Sequence, residues 1–318
     1  MKHRILVSLA LMLVLMLSVG CAAAESVRVA ALKGPTAMGM VELMRDGGDR
    51  YEFTLAAAAD EITPLLVQGK LDVAAVPANL AAVLYNNTEG AVRVLAVNTL
   101  GVLYIVERGA TIHTVEDLKG RTLYTAGKGS TPEYALNYIL RGNGLDPETD
   151  LTIEFKSEHA ECVAALLNDP DAVAMLPQPF ATVAQAKAED MRIALDLTRE
   201  WDALQADADS PSAMITGVVV ARTAFIGEHP DEVRDFLSDY ETSVRFTLDN
   251  TAEAAALIGE YDIFDAAVAE RALPYCNITF IAGEEMREML SGYLAELYAQ
   301  DPASVGGALP DEAFYHIG

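Results

Sequence analysis

Apolar and polar positions along the chain follow two alternating patterns. Short runs rich in Val, Ile and Leu, typical of buried strands, alternate with segments whose apolar residues recur at helical spacing. The first run covers residues 27–32 and ends in a Lys-Gly-Pro-Thr loop, after which Met38, Met40 and Met44 share helical spacing. The sequence predicts strands at 27–32, 51–57, 71–76, 92–97, 101–106, 122–125, 151–155, 172–176, 191–194 and 215–221.

The order of strand, loop and helix indicates the fold class. A chain that alternates in this way predicts an α/β fold with mainly parallel sheets flanked by helices. From Glu228 onward the pattern is mostly helical and is punctuated by Pro230, Gly283 and Pro302. Because 318 residues exceed the size at which one hydrophobic core usually keeps growing, we expect two lobes.

The first 21 residues have the composition of a secretion signal. Lys2 and Arg4 make a basic start, residues 5–17 are apolar, and small residues lead to Cys21. The segment resembles a bacterial lipoprotein signal, which implies that Cys21 becomes the lipid-modified first residue and tethers the protein to a membrane face. Cleavage after Ala24, at a run of small residues, is the alternative. Either route predicts an extracytoplasmic protein.

Composition narrows the range of partners. The hydrophobic fraction is 52% and the formal net charge is −25. The first value supports a compact globular fold. The second argues against nucleic acid and anionic lipid as partners, and it indicates a soluble, self-repelling surface without fixing the charge of any pocket.

Cysteine and histidine give no sign of a metal centre. With Cys21 assigned to processing, Cys162 and Cys276 remain, far apart in the sequence. Two buried free thiols are preferred over a disulfide, because sequence cannot bring their Cα atoms within bridging distance. None of the histidines has a partner at metal-ligand spacing, so no metal and no cofactor are expected.

Several motifs in a fixed order carry a family resemblance. They are LVQGKLDVA at 66–74, VEDLKGRT at 115–122, VVVAR at 218–222 and HPDEV at 229–233. Together, and after a secretion signal, they make the chain resemble an extracytoplasmic solute-binding protein of an ABC transporter, of the nitrate, sulfonate, taurine and thiamine-precursor type.

This resemblance implies the architecture and the partners. It implies a type II periplasmic-binding-protein fold, in which two α/β lobes close on a small molecule and an ABC permease in the membrane receives it. The first lobe would comprise 26–99 plus 222–318 and the second 100–221, with crossings near 98–100 and 210–222. The protein is expected to be a monomer without catalytic residues.

Candidate ligand-binding residues come from the loops that follow the predicted strands. Ligands of open α/β sheets bind beyond the carboxyl ends of the strands, and glycines there let the backbone approach a ligand closely. The glycine-rich loop at 127–132 is the strongest candidate, although each position has a cap, turn or core role as its alternative. The candidates are Lys33, Gly34, Thr36, Met38, Asp60, Asn79, Asn98, Thr99, Lys128, Ser130, Thr131, Tyr134, His159, Gln178 and Phe180.

Ligand charge and competing functions stay open at this point. Carboxylates such as Asp60, Glu133 and Glu158 neighbour Lys33 and Lys128, which favours a small organic ligand, anionic or heteroaromatic, over a bare inorganic anion. An enzyme on the same bilobal fold is one alternative, although the sequence shows no recognisable Ser-His-Asp or Cys-His arrangement for nucleophilic catalysis. A ligand-sensing accessory protein is the other.

Overall fold

The computed structural model describes residues 26–206 and 212–318. The predicted signal segment with Cys21 and the alternative cleavage site at Ala24 lie outside the described residues. Two β-sheets and the helices that flank them make up the described part. The strands are β1 (Val27–Leu32), β2 (Tyr51–Ala56), β3 (Val73–Pro77), β4 (Val92–Leu100), β5 (Leu103–Arg108), β6 (Thr122–Thr125), β7 (Thr152–Phe155), β8 (Val173–Pro177), β9 (Met191–Asp196), β10 (Ile215–Arg222) and β11 (Ile278–Ala282).

Helices follow most strands, as the alternating sequence pattern predicts. Several begin with signals that favour a helix start, such as proline at the first position of the helix at Pro35. The helices are α1 (Pro35–Met38), α2 (Val41–Asp46), α3 (Ala59–Val67), α4 (Ala78–Asn87), α5 (Thr131–Gly142), α6 (His159–Asn168), α7 (Phe180–Lys187), α8 (Leu197–Gln205), α9 (Thr223–Glu228), α10 (Pro230–Asp249), α11 (Thr251–Glu260), α12 (Ala266–Ala272) and α13 (Gly283–Gln300).

Each sheet, with the helices packed on it, forms one lobe. The first lobe holds a six-stranded sheet in the order β11-β4-β10-β3-β1-β2, and the second lobe holds a five-stranded sheet in the order β7-β6-β8-β5-β9. The two-lobed α/β fold predicted from the sequence is confirmed.

Most strands of each sheet run in the same direction, as expected, but both sheets also contain antiparallel pairs. In the first lobe β1 pairs in parallel with β2 and β3, but β10 is antiparallel to β3 and β4. In the second lobe β5 is antiparallel to β8 and β9. β5 and β10 are the strands on which the chain enters a new sheet. Because they begin at the edge where the parallel strands end, they run in the opposite direction.

Two details of the sequence interpretation are wrong, and one strand was missed. β10 had been grouped with the second lobe, whereas Val218 pairs with both Val76 and Val97 of the first. β4 does not stop at Val97 but continues through Leu100. The region after Glu228 is mostly helical, as predicted, but it also contains β11, which was missed and which pairs with β4 at the edge of the first sheet.

Buried apolar side chains fill the space on both faces of each sheet. One cluster is continuous between the lobes, where Trp201 of α8 lies 5.3 Å from the ring of Tyr293 in α13 and 4.2 Å from that of Tyr138 in α5. Cys162 and Cys276 are buried free thiols, as preferred from the sequence. Burial raises the pKa of Cys162 to about 11 and that of Cys276 to about 12, so both are protonated at neutral pH.

Candidate functional site

A cavity of about 330 Å³ lies between the two lobes. It is lined by the loops that follow β1, β2 and β3 of the first lobe and β6, β7 and β8 of the second. Residues near the end of β4 and near the starts of β5 and β10 complete the lining. The lining residues are Leu32, Lys33, Gly34, Pro35, Thr36, Ala57, Ala58, Ala59, Pro77, Asn79, Leu80, Thr99, Val102, Leu103, Gly127, Gly129, Ser130, Thr131, Pro132, His159, Pro177, Gln178, Pro179, Phe180 and Thr216.

The local sequence explains why helices begin at this cavity. The backbone of Gly34 adopts φ +132°, a conformation that residues other than glycine rarely adopt. Pro35 then starts α1. Helices α4, α5, α6 and α7 likewise begin next to the cavity. The amino ends of helices carry partial positive charge and N–H groups without intrahelical partners, so this region favours hydrogen-bond acceptors.

Direct contacts join the lobes around the cavity. The Oδ1 of Asn79 accepts hydrogen bonds from the backbone N and the Oγ1 of Thr131, each at 3.1 Å. On the other side the ring of Phe180 meets that of Phe264 edge-on, with centroids 5.3 Å apart. Tyr104 also donates to the carbonyl oxygen of Tyr275 at 3.0 Å. The lobes are therefore closed on each other.

Gln178 lies in the wall of the cavity. The residue is 1% exposed, and its Oε1 accepts from the backbone N of Thr182 at 3.3 Å and from Thr182 Oγ1 at 2.8 Å. A backbone N–H can only donate, so the amide atom facing it is the oxygen. Within the described residues Nε2 is buried without a hydrogen-bond partner.

His159 is a neutral ring in the wall of the cavity. Burial lowers its pKa to about 4, so the imidazole is uncharged at neutral pH. Its Nδ1 is buried with no hydrogen-bond partner in the described part of the chain. The ring packs against Phe180, with centroids 5.4 Å apart.

Lys33 turns toward the surface. Its Nζ lies 2.7 Å from Oδ2 of Asp262, a side chain that is 95% exposed. The hydrogen bond and the charge of Lys33 lower the pKa of Asp262. The ammonium group is thus already paired with a carboxylate of the same lobe.

Most of the predicted site residues line the cavity. They are Lys33, Gly34, Thr36, Asn79, Thr99, Ser130, Thr131, His159, Gln178 and Phe180. Their common position follows from the topology, because the parallel strands of both sheets end at this edge. Whether each of them contacts the ligand stays a prediction.

Five predicted site residues lie elsewhere, which corrects their expected placement. Met38 is fully buried in the core of the first lobe, and Asn98 is buried behind the cavity with its Nδ2 3.5 Å from the carbonyl oxygen of Thr36. Asp60 is exposed on the first turn of α3. Lys128 lies over the ring of Phe155, 5.6 Å from its centroid.

Tyr134 is the fifth of these residues. It packs against the core shared by the lobes, beside a surface pocket lined by Gln300 and Asp301. Lys128 lies in the glycine-rich loop and Tyr134 follows it, but neither residue lines the cavity. Position next to a loop therefore did not determine which way a side chain points.

Sequence reasoning missed several lining residues, among them Leu80, Val102, Leu103 and Thr216. Leu80 is the third residue of α4, and Val102 and Leu103 lie at the start of β5. Thr216 is the second residue of β10, where its hydroxyl donates to the carbonyl oxygen of Leu100 at 2.5 Å. Val102, Leu103 and Thr216 lie where the chain enters a new sheet, and a search of these positions would have found them.

The match to a family model decides the classification. The model described as "ABC transporter, phosphonate, periplasmic substrate-binding protein" matches residues 40–270, more than two thirds of the chain. The chain belongs to this family. The resemblance to ABC solute-binding proteins drawn from the sequence is thereby confirmed. No curated protein matches the sequence.

Solved structures of binding proteins share the fold. An ABC transporter protein from Parabacteroides distasonis is 22% identical with a TM-score of 0.78, and the match covers 92% of this chain and 99% of that one. The periplasmic aliphatic sulphonate-binding protein SsuA from Escherichia coli is 16% identical with a TM-score of 0.71, covering 91% and 93%. The nitrate-binding protein NrtA from Synechocystis PCC 6803 is 11% identical, with a TM-score of 0.66 and coverage of 88% and 82%.

Membership assigns the general role of this binding protein. It is the extracytoplasmic substrate-binding component of an ABC importer, with a small-molecule ligand and an ABC permease as partners. Within residues 26–206 and 212–318, no helix has the length and apolar character needed to cross a bilayer. In the same ranges no cluster of His, Cys, Asp or Glu is arranged to hold a metal ion.

Proposed function

We propose that this binding protein holds one small organic molecule in the cavity between its lobes and releases it to the permease chemically unchanged. The observation that carries this proposal is the cavity of about 330 Å³ that loops of both lobes enclose. A ligand that contacts both lobes stabilises the closed form over the open form, and the permease reads that difference.

The hinge would lie where the chain passes between the sheets. We place one crossing at Gly101 and Val102, between β4 and β5, and the other just before β10. The first lobe would then comprise 26–100 and 215–318, and the second 103–206. These boundaries follow the sheet to which each strand belongs.

Polar groups at the cavity support binding without catalysis. The Ser130 hydroxyl donates to the carbonyl oxygen of Gly127 at 2.8 Å, so it is not activated by His159. The Nδ1 of His159 has no partner in the described residues to orient the ring as a base. A nucleophile normally needs such a hydrogen-bonded base and an orienting group. The binding protein is therefore expected to return its ligand unaltered.

Membrane attachment and oligomeric state complete the proposal. Cys21, preceded by an apolar run and small residues, would carry the lipid anchor. The strong acidic excess, with a net charge of −25, favours a monomer. Replacement of Cys21 by Ser should release the protein from the membrane fraction, whereas retention there would contradict the anchor.

Ligand recovery tests the proposed function. Purified mature protein is exposed to a small-molecule extract of the cells that produce it, washed, and held for several hours before denaturation. Mass spectrometry of the released fraction should recover a compound already present in the extract, in amounts close to one per chain. Recovery of only a transformed product would favour an enzyme, and recovery of nothing would contradict solute binding.

A further inference from the structure

The charge on the walls of the cavity comes from one side chain. Among the described residues that line it, Lys33 is the only one with a formal charge at neutral pH, and none is Asp or Glu. His159 is neutral because burial lowers its pKa to about 4. Helices that begin beside the cavity add partial positive charge. An anionic ligand, whose burial is costly without compensation, would therefore have Lys33 as its nearby cation.

The backbone of Lys33 is held at the edge of the cavity, whereas its side chain is free to move. The N–H of Lys33 donates to the carbonyl oxygen of Ala56 at 2.9 Å, which joins the end of β1 to the end of β2. The side chain is 36% exposed. A lysine ammonium sits on a flexible stem of four carbons and has three donors. It can therefore change partners without disturbing the core.

The present partner of this ammonium is a carboxylate on a loop beside the cavity. Nζ of Lys33 lies 2.7 Å from Oδ2 of Asp262. Two residues after Asp262, the ring of Phe264 meets that of Phe180, which lines the cavity, with centroids 5.3 Å apart. The loop that carries the carboxylate therefore reaches the boundary of the ligand cavity.

The end of α11 determines where this carboxylate lies. Asp262 has φ +53°, its N–H donates to the carbonyl oxygen of Gly259 at 3.2 Å, and the N–H of Ile263 donates to that of Ile258 at 3.0 Å. The backbone is thus fixed, but the side chain of Asp262 is 95% exposed. Exposed ion pairs contribute little stability, so Lys33 can leave Asp262 at little cost.

We infer that Lys33 recognises the negative charge of the ligand, and that its ammonium moves from Asp262 to the anionic head group when the ligand binds. Asp262 is then an internal competitor, which lowers the affinity for the anion and takes the ammonium back on release. This inference rests on the proposed function and adds to it the pair of residues that selects for charge.

A double-mutant cycle on the purified mature protein tests the inference. Ethylphosphonate, ethanesulfonate and propanoate share one body and differ in the anionic group. The member that raises the melting temperature most is titrated by calorimetry at low ionic strength. Lys33→Met should weaken its binding by about tenfold. Asp262→Asn should tighten it by roughly twofold to fivefold, and this gain should disappear when Lys33→Met is also present.

Two control variants separate this exchange from the general effect of charge. Glu260→Gln removes a negative charge at the exposed end of α11, two residues before Asp262. Lys128→Met removes an ammonium that lies over the ring of Phe155 and not in the cavity wall. Each should leave the affinity within about twofold of the original. Asparagine suits position 262 because it adopts positive φ more readily than most residues.

The Asp262 carboxyl gives a second measurement, made on the unsubstituted protein. The hydrogen bond and the charge of Lys33 lower the pKa of this carboxyl. When the probe binds and the ammonium leaves, carbon-13 NMR should show that pKa rising toward its value in Lys33→Met. An unchanged pKa with the probe bound would show that Lys33 stays with Asp262, and would reject the inference.

Two further results would overturn it. An equal gain from Asp262→Asn with and without Lys33 would mean that the carboxylate acts on the ligand directly and not through the lysine. Binding of none of the three anions would reject the inference as well. Recovery of an intact compound from the cell extract would then keep the proposed function, and recovery of nothing would reject both.

Discussion

Asn79 of α4 and Thr131 of α5 join the two lobes directly across the cavity. The Asn79 Oδ1 receives two hydrogen bonds from Thr131, and the Asn79 Nδ2 is held at 3.1 Å from the carbonyl oxygen of Ser304. Both side chains are at most 2% exposed, so these bonds are shielded from water. A contact of this kind stabilises the closed arrangement of the lobes and is lost when they separate.

Thr131→Val should shift the binding protein without ligand toward the open form. The substitution keeps the shape of the side chain and removes the hydroxyl bond between the lobes, which contributes about 1 kcal/mol. We expect the ratio of closed to open molecules to fall by roughly fivefold. Small-angle X-ray scattering should then show a larger radius of gyration.

Thr247→Val is the control for that substitution. Its hydroxyl donates within the first lobe, to the carbonyl oxygen of Ser243 at 2.9 Å. The control should lower stability without changing the radius of gyration. An identical scattering profile for Thr131→Val and the original protein would show that this hydrogen bond does not influence lobe closure.

Gly101→Ala should disturb the crossing between β4 and β5. A Cβ at this position would lie 2.2 Å from Thr198 Oγ1 and 2.3 Å from Met214 Cε, so the neighbouring side chains must move. We expect a loss of about 1 to 3 kcal/mol in the free energy of unfolding, measured by urea denaturation. Gly227→Ala, where a Cβ would have no neighbour within 4 Å, should cause no loss. Equal stability of the two variants would contradict close packing at the crossing.

His159 should make stability depend on mildly acidic pH. Its pKa is about 4 in the folded protein and 6.5 as an ordinary value, so between these limits the unfolded chain binds the proton preferentially. Stability contributed by the neutral ring is therefore complete above about pH 6.5 and is lost as the pH falls toward 4, by about 2 to 3 kcal/mol. His159→Asn should show a shallower decline in melting temperature over this range. The exposed His229→Asn serves as the control, and parallel curves for all three proteins would contradict the burial of His159.

Asp72→Asn should lower stability without changing ligand affinity. Burial alone would raise the pKa of Asp72, but hydrogen bonds from Arg28 and Arg222 outweigh it and lower that pKa. The carboxylate is 3% exposed and lies 2.7 Å from Arg28 and 2.6 Å from Arg222. Removal of its charge should cost about 3 kcal/mol in unfolding free energy. Asp72 precedes β3, at the end of the strand opposite the cavity, so a large change in affinity would contradict this separation.

The sequence predicts the parallel strands and the loops after them well. Runs such as Val27–Leu32 are buried and end in glycine or proline, and their carboxyl ends meet at one edge of each sheet. Ser130 and Gln178 could be placed at the cavity on that basis. Their position follows from the order of strands and loops, which the spacing of apolar residues in the sequence indicates.

Strand direction and side-chain direction could not be predicted in the same way. β5 and β10 have the apolar character of the other strands, and nothing in their sequence tells that they run antiparallel. Thr216 was missed for this reason. Lys128 was expected to contact the ligand because it lies in the glycine-rich loop. Its ammonium group instead lies over the ring of Phe155. Contacts between residues far apart in sequence decide such cases.

Native mass spectrometry with a blocked cavity tests the central claim most directly. Leu80 lines the cavity on α4, and Asn87 is exposed at the other end of the same helix. After exposure to cell extract, the original protein and Asn87→Trp should carry one small-molecule adduct per chain, and Leu80→Trp should carry none. An adduct retained by Leu80→Trp, or absent from all three proteins, would contradict the binding of a solute between the lobes.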